Sequence, residues 1–145
     1  MIPAFDGDGN LPPGIHVAAW KELEQRFAST AHRRALLRGL RHASTILLRA
    51  GCRRIYVDGS FVTAKRRPND FDMAWEPAGV DIRKLLALEP VFRDFSNQRS
   101  AQKAKFRGEF FPSSFLADTV GNTFLEFFQI DRNTGNAKGI IAIDL

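Results

Sequence analysis

Residues 58–73, DGSFVTAKRRPNDFDM, bring together three kinds of group suited to chemistry on phosphates. Gly59-Ser60 follows the short run Ile55-Tyr56-Val57. A glycine there lets the backbone turn sharply and approach a ligand, while exposed N–H groups and the Ser60 hydroxyl can bond phosphate oxygens. Asp70 and Asp72 stand one residue apart in a stretch of alternating polarity, so on a strand they share a face with Cα atoms about 6.6–7 Å apart. Two carboxylates that converge without a cation repel one another. A hard divalent cation removes that penalty, and Mg²⁺ typically takes one or two carboxylates, with substrate phosphates and water completing its shell. Lys65, Arg66 and Arg67 lie between the two halves, placed to neutralise a triphosphate or a nucleic-acid backbone. Alone, the basic block reads as a solvated loop, the Gly-Ser pair as a turn and the aspartates as an exposed strand face. Their combination between two strands is what points to a site.

The elements that must position these residues follow from periodicity. The β-branched and aromatic run predicts a buried strand over 54–58, and the alternation of Asp70, Asp72 and Ala74 with Phe71, Met73 and Trp75 predicts another over 70–76. Before them, residues 1–14 read as an irregular lead-in rich in Pro, Gly and Asp that lies across the domain. Val17, Trp20, Leu23 and Phe27 predict a short amphipathic helix over 16–27. A second helix is predicted over 31–50, capped by Ser29 or Thr30, with Leu36, Leu37, Leu40, Ile46 and Leu47 as its apolar stripe and Gly51 as its end. Its basic residues Arg33, Arg34, Arg38, Arg41 and His42 fall largely off that stripe and read as a solvated face. Downstream, VDIRKLLAL predicts a helix, 96–104 a more polar helix, 106–111 a strand ending at Pro112, and 139–144 a last strand. Residues 122–129 fit helix or strand equally.

The whole is expected to be one α/β (α+β) domain over residues 1–145, a small mixed sheet with helices mainly on one face. The other face is expected to stay open for nucleotide and acceptor, with the 31–50 helix behind the first strand. A hydrophobic fraction of 44% and thirteen phenylalanines suit a folded chain. The net charge of +5 favours acidic partners. A single cysteine, Cys52, excludes an intramolecular disulfide framework, and its apolar setting suits a buried thiol. No apolar run is long enough to span a bilayer, and the opening MIPAFDGDGNLPPG lacks the order of a signal peptide, so no membrane partner and a cytoplasmic location are expected. His16, His32 and His42 show no metal-ligand spacing.

Gly59-Ser60, nine intervening residues, then Asp70-Phe71-Asp72 resembles the signature of the polymerase-β-like nucleotidyltransferase superfamily, especially its minimal single-domain members. The longer text, LPPGIH, YVDGSFVTAKRRPNDFD and FFQIDRNTGNAKGIIAIDL, resembles the bacterial family DUF6932, usually placed in that superfamily, over nearly the whole chain. The resemblance implies that Gly59 and Ser60 form a phosphate-binding turn and that Asp70 and Asp72 are metal carboxylates. It further implies a two-metal nucleotidyl transfer, in which one Mg²⁺ grips the NTP and the other activates the acceptor oxygen. The superfamily also needs a third carboxylate on a neighbouring strand. Glu109, mid-strand in KFRGEFF, is the first choice, followed by Asp118 and then Glu126. The implied activity moves an NMP from an NTP onto a partner protein or an RNA such as tRNA, in the toxin–antitoxin or phage-defence setting of minimal relatives, with a cognate toxin or antitoxin as partner. Two alternatives stand beside it. One is a degenerate nucleotide- or partner-binding module acting as antitoxin or scaffold, the other a basic nucleic-acid-binding domain with incidental carboxylates.

Overall fold

A computed structural model describes residues 1–145 and shows a five-stranded mixed sheet with helices packed mainly on one face. In chain order the elements are β1 (Gly14–Val17), α1 (Trp20–Phe27), α2 (Ala31–Arg49), β2 (Arg54–Asp58), β3 (Phe71–Trp75), α3 (Ile82–Leu88), α4 (Ser96–Phe106), β4 (Gly108–Pro112), α5 (Phe124–Phe128) and β5 (Gly139–Asp144). The strand order is β1-β5-β2-β3-β4. β5 and β3 each run antiparallel to β2, while the outer pairs β1/β5 and β3/β4 are parallel. The sheet is thus built around the strand that leads into Gly59.

Alternation along the strands sorts side chains between two unequal faces. Ile55, Val57, Phe71, Met73, Trp75, Phe110, Ile141 and Ile143 join the main core beneath the helices. α2 lies in that layer because Leu36, Leu37, Leu40, Ala43, Ile46 and Leu47 form one buried stripe, begun by the Thr30 side chain accepting from Arg33 N–H. It approaches α4 closely at Gly39, where a Cβ would sit 1.8 Å from the Phe106 carbonyl oxygen. The opposite face carries Tyr56, Ala74, Ile140 and Ala142, which are covered by Phe128 of α5. That face is therefore not wholly open, as the sequence suggested. A short amphipathic helix, started by a Thr123/Glu126 capping box, closes its centre and leaves the Asp58–Asp72 end uncovered.

Two further differences have local causes. The helix expected from residue 16 begins instead at Trp20, because Gly14–Val17 add to the sheet edge in parallel register with Gly139–Ala142. Val17 fits the helical spacing by coincidence and is about half exposed on the edge strand. Arg33 is buried rather than solvated. Its guanidinium donates to the Phe27 and Phe61 carbonyls at 3.2 and 2.7 Å, to Thr63 O at 3.1 Å and to Lys65 O. The other sheet edge is closed to pairing: Phe110 N–H donates to Gln102 Oε1 at 2.9 Å, and Pro112 offers no N–H. No helix is long and apolar enough to cross a membrane.

Candidate functional site: a carboxylate row beside a glycine-serine turn

The sheet registers place Asp58 opposite Asp72, and Asp72 opposite Glu109, so one carboxylate from each of β2, β3 and β4 forms a row on the α5 face. The row lies at the edge of the area that α5 covers. Asp70 precedes the first residue of β3 rather than lying within it, yet it is close enough to Glu109, Lys103 and Lys65 for their charges to act on its carboxyl. The structure thus pairs Asp72 with Glu109 across β3 and β4, with Asp70 near enough for its charge to act on Asp72. Asp118 and Glu126 stay apart from them. Asp118 accepts from the backbone of Val120 and Asn122 and from the Asn122 amide, which closes a loop, and Glu126 caps α5.

Gly59 turns the chain off β2 at φ +83°, a left-handed conformation that favours glycine, and a Cβ there would lie 2.7 Å from Asp72 Oδ2. A side chain is thus excluded twice at the point where turn and carboxylate meet. Residues 60–62 form a single 3₁₀ turn whose Ser60 carbonyl accepts from Thr63 N–H and Oγ1. Ser60 and Phe61 N–H and the Ser60 hydroxyl donate to nothing within the chain. The loop stays in place because Arg33 binds three of its carbonyls and His32 Nε2 contacts Pro68 O at 2.5 Å. Of the basic block, Lys65 faces the site, Arg66 lines a neighbouring cleft with Arg26 and Arg33, and Arg67 is exposed outside both.

The turn, Asp58 and Asp72 open onto a cavity of about 530 Å³, within the size range of ligand pockets. Its walls include Gly59, Ser60, Lys65 and Asp72 together with Phe127, Ile130, Arg132 and Lys138. The lead-in supplies a third wall, where Asn10 donates to Asp131 at 2.9 Å and Gly9 O accepts from Ala64 N–H.

The electrostatics of the row are uneven. Burial lifts the Asp72 carboxyl well above its ordinary range, and contact with Glu109 and the charges of Asp58, Glu109 and Asp70 lift it further. Burial alone would raise Glu109 too, but hydrogen bonds from Asp72, Arg99 and Lys103 outweigh it and hold Glu109 low. Arg99 reaches Glu109 Oε1 through Nε and Nη2 at 3.0 and 2.8 Å, and Lys103 reaches the same oxygen at 3.1 Å. Asp58 is raised by burial despite Lys138, whose Nζ donates to its Oδ1 at 2.8 Å. The two ends of the row therefore have cations while its middle does not.

No three His, Cys, Asp or Glu side chains are gathered into a ready-made metal cage. The donor set still fits Mg²⁺: Asp70, Asp72 and Glu109 offer hard oxygens only, and Asp72 lacks positive charge. Arg99 and Lys103 both hold Glu109 through Oε1, which leaves Oε2 free of cation contacts.

A family model described as a family of unknown function, DUF6932, matches residues 3–144. The chain belongs to this family. No curated protein matches it, and no solved structure does. In this DUF6932 member, sequence reasoning missed Asp58, Lys138, Arg99 and Lys103. Asp58 had a signal, since it shares strand parity with Tyr56 and directly precedes Gly59. Lys138 had none, as it meets Asp58 across 80 residues.

Proposed function

We propose that this DUF6932 protein is a Mg²⁺-dependent nucleotidyltransferase that moves a nucleoside monophosphate from an NTP to a hydroxyl of a protein or RNA acceptor. The observation that carries the reading is that Asp72, in register with Glu109 and within reach of the Asp70 charge, lines one cavity together with an open glycine-serine turn. Asp70, Asp72 and Glu109 would hold Mg²⁺, which when bound supplies positive charge to the triphosphate and to the attacking oxygen. The unpaired N–H groups of residues 60 and 61 and the Ser60 hydroxyl bind phosphate oxygens. Lys65 adds charge from the loop, and Gly59 lets the phosphate come close to Asp72. In the transfer the acceptor oxygen bonds to the α-phosphorus, the bond to the bridging α–β oxygen breaks, pyrophosphate leaves and the acceptor hydroxyl loses its proton. A setting with a cognate toxin or antitoxin is part of the same proposal.

A second reading, a nucleotide- or partner-binding module without turnover, is favoured by one observation: Arg99 and Lys103 already neutralise Glu109. Incubation of the protein, Mg²⁺ and cell extract with NTPs labelled at either the α- or the γ-phosphate separates the two. Nucleotidyl transfer places α-label, and no γ-label, on an acceptor, and Asp70→Asn or Asp72→Asn lowers the rate at least about 100-fold, the usual scale for losing one electrostatic stabiliser of the transition state. Saturable Mg²⁺-dependent binding with no label moved would establish the module instead.

A further inference from the structure

Lys138 is the one member of the segment 132–138 that is not exposed; its side chain is 15% exposed and tied to Asp58. Its backbone is equally fixed, because Lys138 N–H donates to Gln129 O and the next residue, Gly139, donates to Leu11 O. The β2–β5 register ends at Val57 opposite Ile141. Beyond it Gly59 turns the chain away from the sheet, and Ser60 of that turn and Lys138 both line the 530 Å³ cavity. An ammonium has three donors, and Asp58 takes one. The remaining donors belong to a side chain that lines the same cavity as the free N–H groups and hydroxyl of the Ser60 turn. Arg132, exposed at the same wall, adds a second cation. A partly buried lysine is costly to hold in place, and a carboxylate that fixes it through one donor while leaving the others free makes it a preorganised anion site.

We propose that Lys138, presented by Asp58 as a positioning residue, binds the phosphate tail of the nucleotide together with the Ser60 turn, and that this contact makes the pocket prefer triphosphates to monophosphates. The inference rests on the reading of the cavity as a nucleotide site. It assigns Asp58 a role different from that of its neighbours in the row: Asp58 holds a side chain, whereas Asp72 and Glu109 remain available to a cation.

The test compares the binding of α,β-methylene NTP analogues and of NMPs, in Mg²⁺, to wild type, Lys138→Arg and the paired variant Asp58→Asn/Lys138→Gln. The pair removes both charges together, so no lone carboxylate is left buried. Triphosphate affinity is expected to fall roughly 10- to 100-fold in the pair, the size of a charge-assisted hydrogen bond, with monophosphate affinity unchanged and Lys138→Arg close to wild type. A folded pair that binds triphosphate as wild type does would overturn the inference. Where the melting curve shows the pair unfolded, acetylation of Lys138 in wild type decides: saturating triphosphate analogue is expected to protect it and saturating NMP not, and equal protection by both overturns the proposal. The broader reading fails separately. Wild type that binds none of the four triphosphates defeats both, whereas wild-type binding that Asp72→Asn abolishes and the pair retains defeats this inference alone.

Discussion

At the scale of single residues, Asp72 is where function and stability oppose each other. Its carboxyl is raised well above the ordinary 3.8 by burial and then by its acidic neighbours, and Asp58 is raised by burial as well. A folded state with a raised carboxyl pKa binds the proton more tightly than the unfolded chain. The stability this confers is fully present below about 3.8 and is lost as pH rises through the raised folded value. Glu109, held below its ordinary 4.5, acts in the opposite sense and loses its contribution only on the acid side. With EDTA, the protein should therefore melt at a lower temperature as pH is raised from 5 to 8, and Asp72→Asn should melt above wild type at pH 8. MgCl₂ should raise the wild-type melting temperature most at pH 8 and leave Asp72→Asn nearly unmoved. Melting curves over that pH range, with EDTA or MgCl₂, check each part, and an Asp72→Asn protein less stable than wild type at pH 8 would contradict the account. The neighbouring placement of Asp72 and Glu109 was legible in the sequence because strand parity and apolar neighbours mark both. Arg33 was not, because its buried role depends on carbonyls of residues 61, 63 and 65, whose positions only the folded loop defines.

At the scale of elements, the carboxylate row depends on how β4 is delivered beside β3, and α4 carries that task. Gln102 of α4 caps the Phe110 N–H, while Arg99 and Lys103 hold Glu109. The helix is strained at both ends: Asn97, Gln98 and Arg99 form a left-handed turn, and Arg107 closes the helix at φ 65°. A left-handed conformation costs an L-residue roughly 1–2 kcal/mol relative to one without a Cβ. Arg107 is exposed and its side chain makes no hydrogen bond, so Arg107→Gly should stabilise the protein by about 1 kcal/mol. Chemical denaturation measures it, and a loss of stability would show that Arg107 has a role its exposed position does not reveal. Most elements were readable, since α2 carries a long apolar stripe, β3 begins with alternating polarity, and β2 and β5 are short β-branched apolar runs. β1 was missed because four residues on a sheet edge, with Ile15 and Val17 left partly exposed, show no core-facing pattern. α5 stayed ambiguous because five residues are too few for periodicity to decide. Its covering of the sheet centre followed from Phe128, which no local pattern distinguishes from Phe127.

At the scale of the whole molecule, one core of 27 buried residues joins α1, α2, α3 and α4 to the sheet, and the chemistry-bearing groups gather at one end of the other face. Fold class was legible because alternation of strands and helices leaves few architectures open. The cavity was not, since its walls come from residues 8–10, 58–65, 72 and 127–138, brought together only by folding. The net charge of +5 resides partly in exposed Arg34, Arg38 and Arg41 on α2 and in the 65–67 loop. The central claim is that the carboxylate row and the Gly59-Ser60 turn together take a Mg²⁺-bound nucleoside triphosphate. Calorimetric titration of wild type and Asp72→Asn with α,β-methylene NTP analogues, in MgCl₂ and in EDTA, tests it most directly. The account predicts saturable binding by wild type in MgCl₂ that is lost both in EDTA and in a folded Asp72→Asn protein. Binding of equal strength with and without Mg²⁺, or in the presence and absence of the Asp72 carboxylate, would contradict it.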